Sequence, residues 1–296
     1  MAQDKNEKKP IVTYWAKEMI KCPVCRKQFK QEVMHNGGGR MIAGNLTEEL
    51  RRNFEPSKKY GVVYPVIYGV GVCPNCQCAL LWRDFSDIKD PATFRRIEDS
   101  SEKRIEQVER IFPHYQLKNE RSLYDAAAYH YLALLTYEDV DAAYAPTFKK
   151  GMICLRLAWI TSDINKLCPG HNFDYISSVF YRKASFFYDQ AVEYETKGEE
   201  KIEVVSNMGP DIDKNYGFDG VLYLRGLLEY KYGQKENIEL RLKKLDEDKR
   251  TIARLFGLGK SSKSKPGPLL EVARNVYDEI AKELKANDIF SDDDEE

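Results

Sequence analysis

VLYLRGLLEYKYGQKENIELRLKKL, residues 221–245, sets an apolar helical pattern on each side of Gly233. It lies within GFDGVLYLRGLLEYKYG (217–233) and ENIELRLKKLDEDKRTIARLF (236–256), which together read as a helical hairpin with its turn at the glycine. A single hairpin cannot bury its apolar surface alone, so it asks for stacked neighbours. Those neighbours are present on both sides. FDYISSVFYRKASFFYDQAVEYETKG (173–198) is a long helix closed by Gly198. PTFKKGMICLRLAWITSDI (146–164) opens on a proline and sets Phe148, Met152, Leu155 and Trp159 on one face. RSLYDAAAYHYLALLTYEDV (121–140) is apolar nearly all round and reads as a buried helix. LLEVARNVYDEIAKELK (269–285) has one stripe, Leu269, Ala273, Val276, Ile280 and Leu284, opposite a charged face, as a closing helix does.

The opening hairpin resembles a tetratricopeptide repeat. Leu222 stands at the first large position, Gly226 at the close helix crossing, Gly233 at the turn and Leu242 at the large position of the second helix. Arg225, Glu229 and Ile238 depart from the repeat, which prefers Leu, Tyr and Ala there. The fold class expected is therefore mainly α, a tetratricopeptide-like helical-hairpin array, with a generic helical bundle as the alternative. DPATFRRIEDSSEKRIEQVERIF (90–112) has only a thin stripe of Phe94, Ile97, Ile105, Val108 and Ile111/Phe112, the mark of a connector helix.

Upstream of Phe85 the character changes. Short alternating stretches and Gly-rich turns replace the helical pattern, and five of the seven cysteines lie in residues 18–85. Phe29 and Val33 alternate as in a half-buried strand, whereas NLTEELRRNF (45–54) reads as a short helix with Asn45 and Glu48 at capping-box spacing. Cys22-Pro-Val-Cys25 and Cys73-Pro-Asn-Cys76 are two CPxC units, and two such knuckles complete a tetrahedral thiolate site. The 47 residues between them exceed the usual gap of a zinc ribbon. Closing the longer loop costs only about 1 kcal/mol, against roughly 10–16 kcal/mol for zinc binding. One structural Zn2+ per chain is the expectation, with iron in a rubredoxin-like site as the alternative metal. Thioredoxin-type chemistry would need a single CxxC opening a helix in a βαβ unit, and neither motif has that setting.

Cys78 is the spare thiol of GVCPNCQC (71–78), and Cys154 reads as a core residue beside Leu155. Cys168 and His171 in CPGH are two ligands at most and read as a turn. Many knuckles carry glycine after the second cysteine, where φ > 0 is favoured, but here Arg26 and Gln77 stand in those places. HNGGGR (35–40) is a hairpin loop whose amides and Arg40 are also a candidate anion cradle.

Composition limits the function classes. The chain has 296 residues, 43% hydrophobic and 31% charged, with a formal net charge of −1, four histidines and no HExxH, GxSxG or P-loop pattern. No secretory signal is read in MAQDKNEKKP, and the longest apolar stretch (60–73) is too short to span a bilayer. The expected location is the cytoplasm, where clustered cysteines more often mean metal than disulfide. Residues 1–85 carry 14 Lys/Arg against 8 Asp/Glu, which keeps nucleic-acid binding open, while the last ten residues carry six acids and no base. The organisation read from these features is a flexible N-terminus (1–17), a zinc ribbon with a long insertion (18–86), a connector helix (87–118) and helical hairpins (119–256). A flexible loop (257–268), a closing helix (269–286) and an acidic disordered tail (287–296) complete it.

GGGRMIAGNLTEELRRNFEPSKKYG, YPVIYGVGVCPNCQCAL and CPVCRKQF, with YLALLTYE, CLRLAWI and YLRGLLEYKYG downstream, resemble a bacterial family catalogued as a domain of unknown function. The resemblance covers most of residues 20–285 and implies a two-knuckle zinc ribbon followed by tetratricopeptide-like helices, with Cys22, Cys25, Cys73 and Cys76 as ligands. It brings no reaction with it. The resulting expectation is a non-enzymatic scaffold or adaptor that binds a protein partner on its helical array. A nucleic-acid-binding zinc-ribbon protein is the first alternative and a metal-dependent enzyme of unknown reaction the second.

Overall fold

A computed structural model describes residues 11–117, 121–256 and 266–292 of the chain. The protein is mainly helical, with small antiparallel sheets confined to its N-terminal part. Strand β1 (Thr13–Lys21) pairs with β2 (Gln28–Met34), β3 (Ile42–Leu46) with β4 (Arg52–Glu55), and β5 (Val70–Val72) with β6 (Ala79–Leu81). β1 starts inside the segment read as a flexible N-terminus, because Thr13 is buried and its hydroxyl donates to the inward-facing Glu32 of β2 at 3.0 Å. Residues 1–10 lie outside the described residues.

The stretch 45–54 is a β-hairpin, not the helix its spacing suggests. Leu50 adopts φ 59°, its N–H donates to the Thr47 carbonyl at 3.0 Å, and Thr47 Oγ1 accepts from the Arg51 N–H at 3.1 Å. These bonds close a tight turn, and Leu50 is only 1% exposed at its tip. Tertiary burial of that tip overrides the local helical preference.

The helices follow as α1 (Asp84–Asp87), α2 (Pro91–Asp99), α3 (Ser101–Ile111), α4 (Leu123–Thr136), α5 (Pro146–Leu167), α6 (Phe173–Lys197), α7 (Gly217–Tyr232), α8 (Ile238–Phe256) and α9 (Gly267–Asp292). From α3 onward each packs on the next in sequence, and α4 also lies on β5 and β6. α5 is at the centre of the core. Phe148, Met152, Leu155 and Trp159 are buried, but so are residues on its other faces, because both α4 and α6 pack on it.

The connector is two helices, not one. They meet at Ser100, whose Oγ donates to Asp139 Oδ2 at 2.5 Å and accepts from Arg104 Nη1 at 2.7 Å, tying the junction to the segment after α4. Gly198 takes φ 74° at the end of α6, and the Glu199 N–H returns to the Tyr194 carbonyl at 2.9 Å, as its reading as a helix terminator requires. α9 runs through the start of the segment read as a disordered tail, since nothing from Lys285 to Asp292 is glycine or proline. It also takes in Gly267 and Pro268 from the segment read as a flexible loop. Residues 118–120, 257–265 and 293–296, which include most of that loop and the last acids of the tail, lie outside the described residues.

Gly226 is the close crossing of α7 and α8. A Cβ there would lie 2.8 Å from Ile252 Cδ1 and 3.3 Å from Asp248 Cβ. Gly226→Val is therefore expected to lower stability by about 2 kcal/mol in chemical denaturation, overpacking outweighing any gain in helix preference.

Asp248, 1% exposed, faces this crossing with neither carboxylate oxygen hydrogen-bonded, while Arg225 Nε stands 3.6 Å away. Burial pushes its pKa up to about 7; Asp189 and Glu229 add to the rise, and Arg225 and Lys244 oppose it. A carboxyl whose pKa is raised on folding contributes stability below its unfolded value, near 4, and loses it as pH climbs through about 7. Denaturation of the protein between pH 4 and 8 is expected to show this loss. Asp248→Asn is expected to flatten it and to exceed the native chain in stability at pH 8 by roughly 2 kcal/mol.

Candidate metal centre

Two chain reversals of identical pattern carry the four cysteines. At the first, between β1 and β2, Cys22 N–H donates to the Lys27 carbonyl at 2.9 Å and Arg26 N–H to the Cys22 carbonyl at 3.1 Å. At the second, between β5 and β6, Cys73 N–H donates to the Cys78 carbonyl and Gln77 N–H to the Cys73 carbonyl, both at 2.9 Å. Arg26 and Gln77 adopt φ 64° and 54°, the left-handed conformation that glycine serves elsewhere. The knuckles thus form without it.

The reversals face one another. The four Sγ atoms of Cys22, Cys25, Cys73 and Cys76 all lie within 4.8 Å of one another, with Cys22–Cys76 at 3.6 Å and Cys25–Cys73 at 3.5 Å. These separations are far too long for disulfides and close to the roughly 3.8 Å edge of a tetrahedron of sulfurs about 2.3 Å from one ion. Cys22 and Cys73 are fully buried, and Cys25 and Cys76 half-buried. Hydrogen bonding with Cys22 holds the Cys73 pKa well below the usual thiol range, while bonding with Cys73 pushes Cys22 up and bonding with Cys22 pushes Cys76 up. Four thiols this close cannot all ionise alone; a divalent ion displaces the shared protons and relieves the repulsion. The set can hold a metal ion, and its four sulfurs occupy every position of a tetrahedral site.

The profile of a family described as "Uncharacterized protein conserved in bacteria (DUF2225)" matches residues 15–280, a span that contains both knuckles and the helices from α1 to the larger part of α9. The chain belongs to this family. It is 38% identical over 275 residues to an uncharacterized protein of Borreliella burgdorferi, covering 93% of this chain and 98% of that one. No solved structure matches the chain.

In this family member the residues after the knuckles have work beyond their backbone conformation. The Arg26 guanidinium lies 5.9 Å from the centre of the Phe94 ring on α2, and Gln77 Oε1 accepts from the Tyr115 hydroxyl. A glycine would forgo both contacts with the helical part. Arg104, 2% exposed, has Nε and Nη2 without hydrogen-bond partners; burial pulls its pKa down, and Cys78, Asp139 and Cys76 counter that. A buried cation in that place would balance the net negative charge of a divalent ion held by four thiolates.

The other sequence candidates separate from the centre. Cys78 is fully buried and touches Cys22, yet it is not one of the four sulfurs that lie within 4.8 Å of one another; Cys154 is core on α5, and Cys168 and His171 are exposed. In HNGGGR, Gly37, Gly38 and Gly39 all take positive φ. Arg40 folds back onto the Gly37 and Ile11 carbonyls, both at 3.4 Å, and over Tyr60, so it closes its own loop.

The insertion between the knuckles grips the helices, a role that spacing did not reveal. At the tip of the β3–β4 hairpin, Glu49 accepts from Trp159 Nε1 of α5 and from the Tyr181 hydroxyl of α6 at 3.0 Å. Tyr232 of α7 approaches its other oxygen at 3.4 Å and stacks on Tyr181 with ring centres 4.2 Å apart. Burial raises the Glu49 pKa, and the Trp159 and Tyr181 bonds resist the rise. Glu48 pairs with Lys231, Arg51 pairs with Asp163, and the Arg52 N–H donates to Asp211 at 2.7 Å. Nearer the metal centre, Arg121 binds Glu32 at 3.1 Å with both side chains nearly buried, and also donates to the Val70 carbonyl at 2.9 Å. The adjacent charges Glu48, Glu49, Arg51 and Arg52 were the available signal, but each has its partner more than 100 residues away.

Metal analysis of the purified chain is expected to find one ion per chain. Cys73→Ser loses it, and Cys78→Ser retains it; the opposite result would remove Cys73 from the ligand set.

Proposed function

We propose that the protein is a non-enzymatic interaction protein in which one structural zinc ion secures a zinc ribbon against a tetratricopeptide-like array. Soft thiolates in a tetrahedral set suit zinc or iron, and a site with no open position suits a structural ion over a catalytic one. The helical pairing from α4 to α9 and the glycine crossing at Gly226 support the repeat reading.

One observation carries the interaction reading. A groove of about 740 Å3 runs between α6 and the α7–α8 turn; Phe186, 59% exposed, lines it with the exposed Arg182, Lys235 and Glu236, while its acids Asp189 and Glu229 are matched by Lys244. An exposed aromatic flanked by cations fits a peptide segment that presents an apolar anchor and acidic neighbours.

Elemental analysis after growth with both metals supplied is expected to find zinc; iron would show as a coloured protein. Affinity capture from the native cell is expected to retain one defined protein at low and at 0.5 M salt, about the range over which surface charge contacts are screened. The Phe186→Ser/Arg182→Glu double variant is expected to lose it. Retention of nucleic acid that falls steeply with salt would instead favour the nucleic-acid-binding alternative.

A further inference from the structure

We propose that the cleft between the N-terminal strands and α5 is a binding site for a small organic anion, with Arg156 as the residue that recognises its charge. The cleft has a volume of about 660 Å3, inside the roughly 300–1,000 Å3 range of small-molecule pockets. Met34, Phe54, Tyr68, Trp82 and Met152 give it apolar and aromatic walls. It lies where the two parts of the chain meet, a common location for such sites.

Charge decides the ligand class. Three cations line the cleft; Arg83 is exposed, whereas Lys149 and Arg156 are each only 4% exposed, and the situations of these two differ. Lys149 is matched: its Nζ stands 2.9 and 2.8 Å from the two carboxylate oxygens of Asp84, which also accepts from the Tyr137 hydroxyl. Arg156 is not. Its Nε donates to the Pro210 carbonyl at 2.7 Å, and its Nη2 approaches Met152 Sδ at 3.6 Å, both neutral partners. Among the described residues no carboxylate forms an ion pair with it. Asp211 is near enough to offset part of its charge, but its two oxygens accept the N–H groups of Arg52 and Ile212, each at 2.7 Å, and it makes no direct bond to the guanidinium.

Gly69 explains how the guanidinium fits where it does. A Cβ at that residue would lie 2.8 Å from Arg156 Nη1, so the missing side chain makes room for it. A buried cation without a direct ion pair is costly, and an anion entering the cleft would reduce that cost. The planar fork of arginine matches a carboxylate or a phosphate head. Four acids also line the cleft, Glu32 and Asp84 paired with Arg121 and Lys149, and Asp87 and Asp213; together they disfavour a polyanion, which leaves a small ligand with one anionic head and an apolar body.

Phenyl phosphate and benzoate carry the two heads on one apolar body, and benzylamine puts a cation on the same body. Isothermal titration of the full, metal-loaded chain is expected to show a single site for at least one of the anions and none for benzylamine. Arg156→Gln, checked for folding by circular dichroism, is expected to weaken that binding at least tenfold. Ser206→Trp, which plugs the exposed side of the cleft and leaves the guanidinium in place, is expected to block it. Should Arg156→Gln fail to fold, Ser206→Trp decides alone. Unchanged affinity in a folded variant, benzylamine binding as tightly as the anions, or no anion binding at millimolar concentration would overturn the proposal.

Discussion

Four sulfurs must meet within 4.8 Å although 47 residues separate the two pairs that supply them. Each pair sits on a rigid two-stranded reversal, so the chain between them cannot pass through the centre and must fold away from it. It does so as the β3–β4 hairpin and the turn at Pro65–Tyr68. Folding outward carries the hairpin tip onto the faces of α5, α6 and α7, where Trp159, Tyr181 and Tyr232 surround Glu49. The convergence of the four cysteines thereby limits which helices the N-terminal strands can reach.

The junction formed in this way is polar. Arg121–Glu32, Arg51–Asp163, Glu48–Lys231 and the Glu49 cluster all cross between the N-terminal strands and the helices. Glu48–Lys231 is partly exposed, but Arg121–Glu32 and Arg51–Asp163 are largely buried; such pairs add little net stability over apolar replacements, yet breaking one leaves an unpaired buried charge. Their effect is to admit one docking register, since sliding the hairpin by one residue would exchange Glu49 for Leu50 among the tyrosines. The cleft lined by Arg156 lies along the same junction, so the registry of the hairpin also shapes that cavity.

The elements that read correctly from the chain are those whose cause is local. The stripe Leu269, Ala273, Val276 and Ile280 is buried as its spacing implies, and Gly198 ends α6 in the left-handed conformation. The CPxC pairs form knuckles because a cysteine, a proline and a tight reversal are contained in a few residues. The 45–54 stretch failed for the opposite reason. Its Leu46, Leu50 and Phe54 spacing is helical, but the contacts that stabilise the hairpin come from residues 163, 181, 223 and 231–232. No window of sequence contains both halves of those contacts.

By itself the sequence determined that the chain is mainly helical, that Gly226 permits a close crossing and that two cysteine pairs are available to one metal. Periodicity, glycine and the spacing of ligands act over a few residues and are written along the chain. Tertiary structure alone decided that Arg26 and Gln77 accept left-handed backbone while reaching Phe94 and Tyr115, that the insertion clamps the helices, and that Arg156 is buried without a direct ion pair. Each depends on which distant groups surround a side chain once water has been excluded, and pairing and desolvation are properties of the folded arrangement.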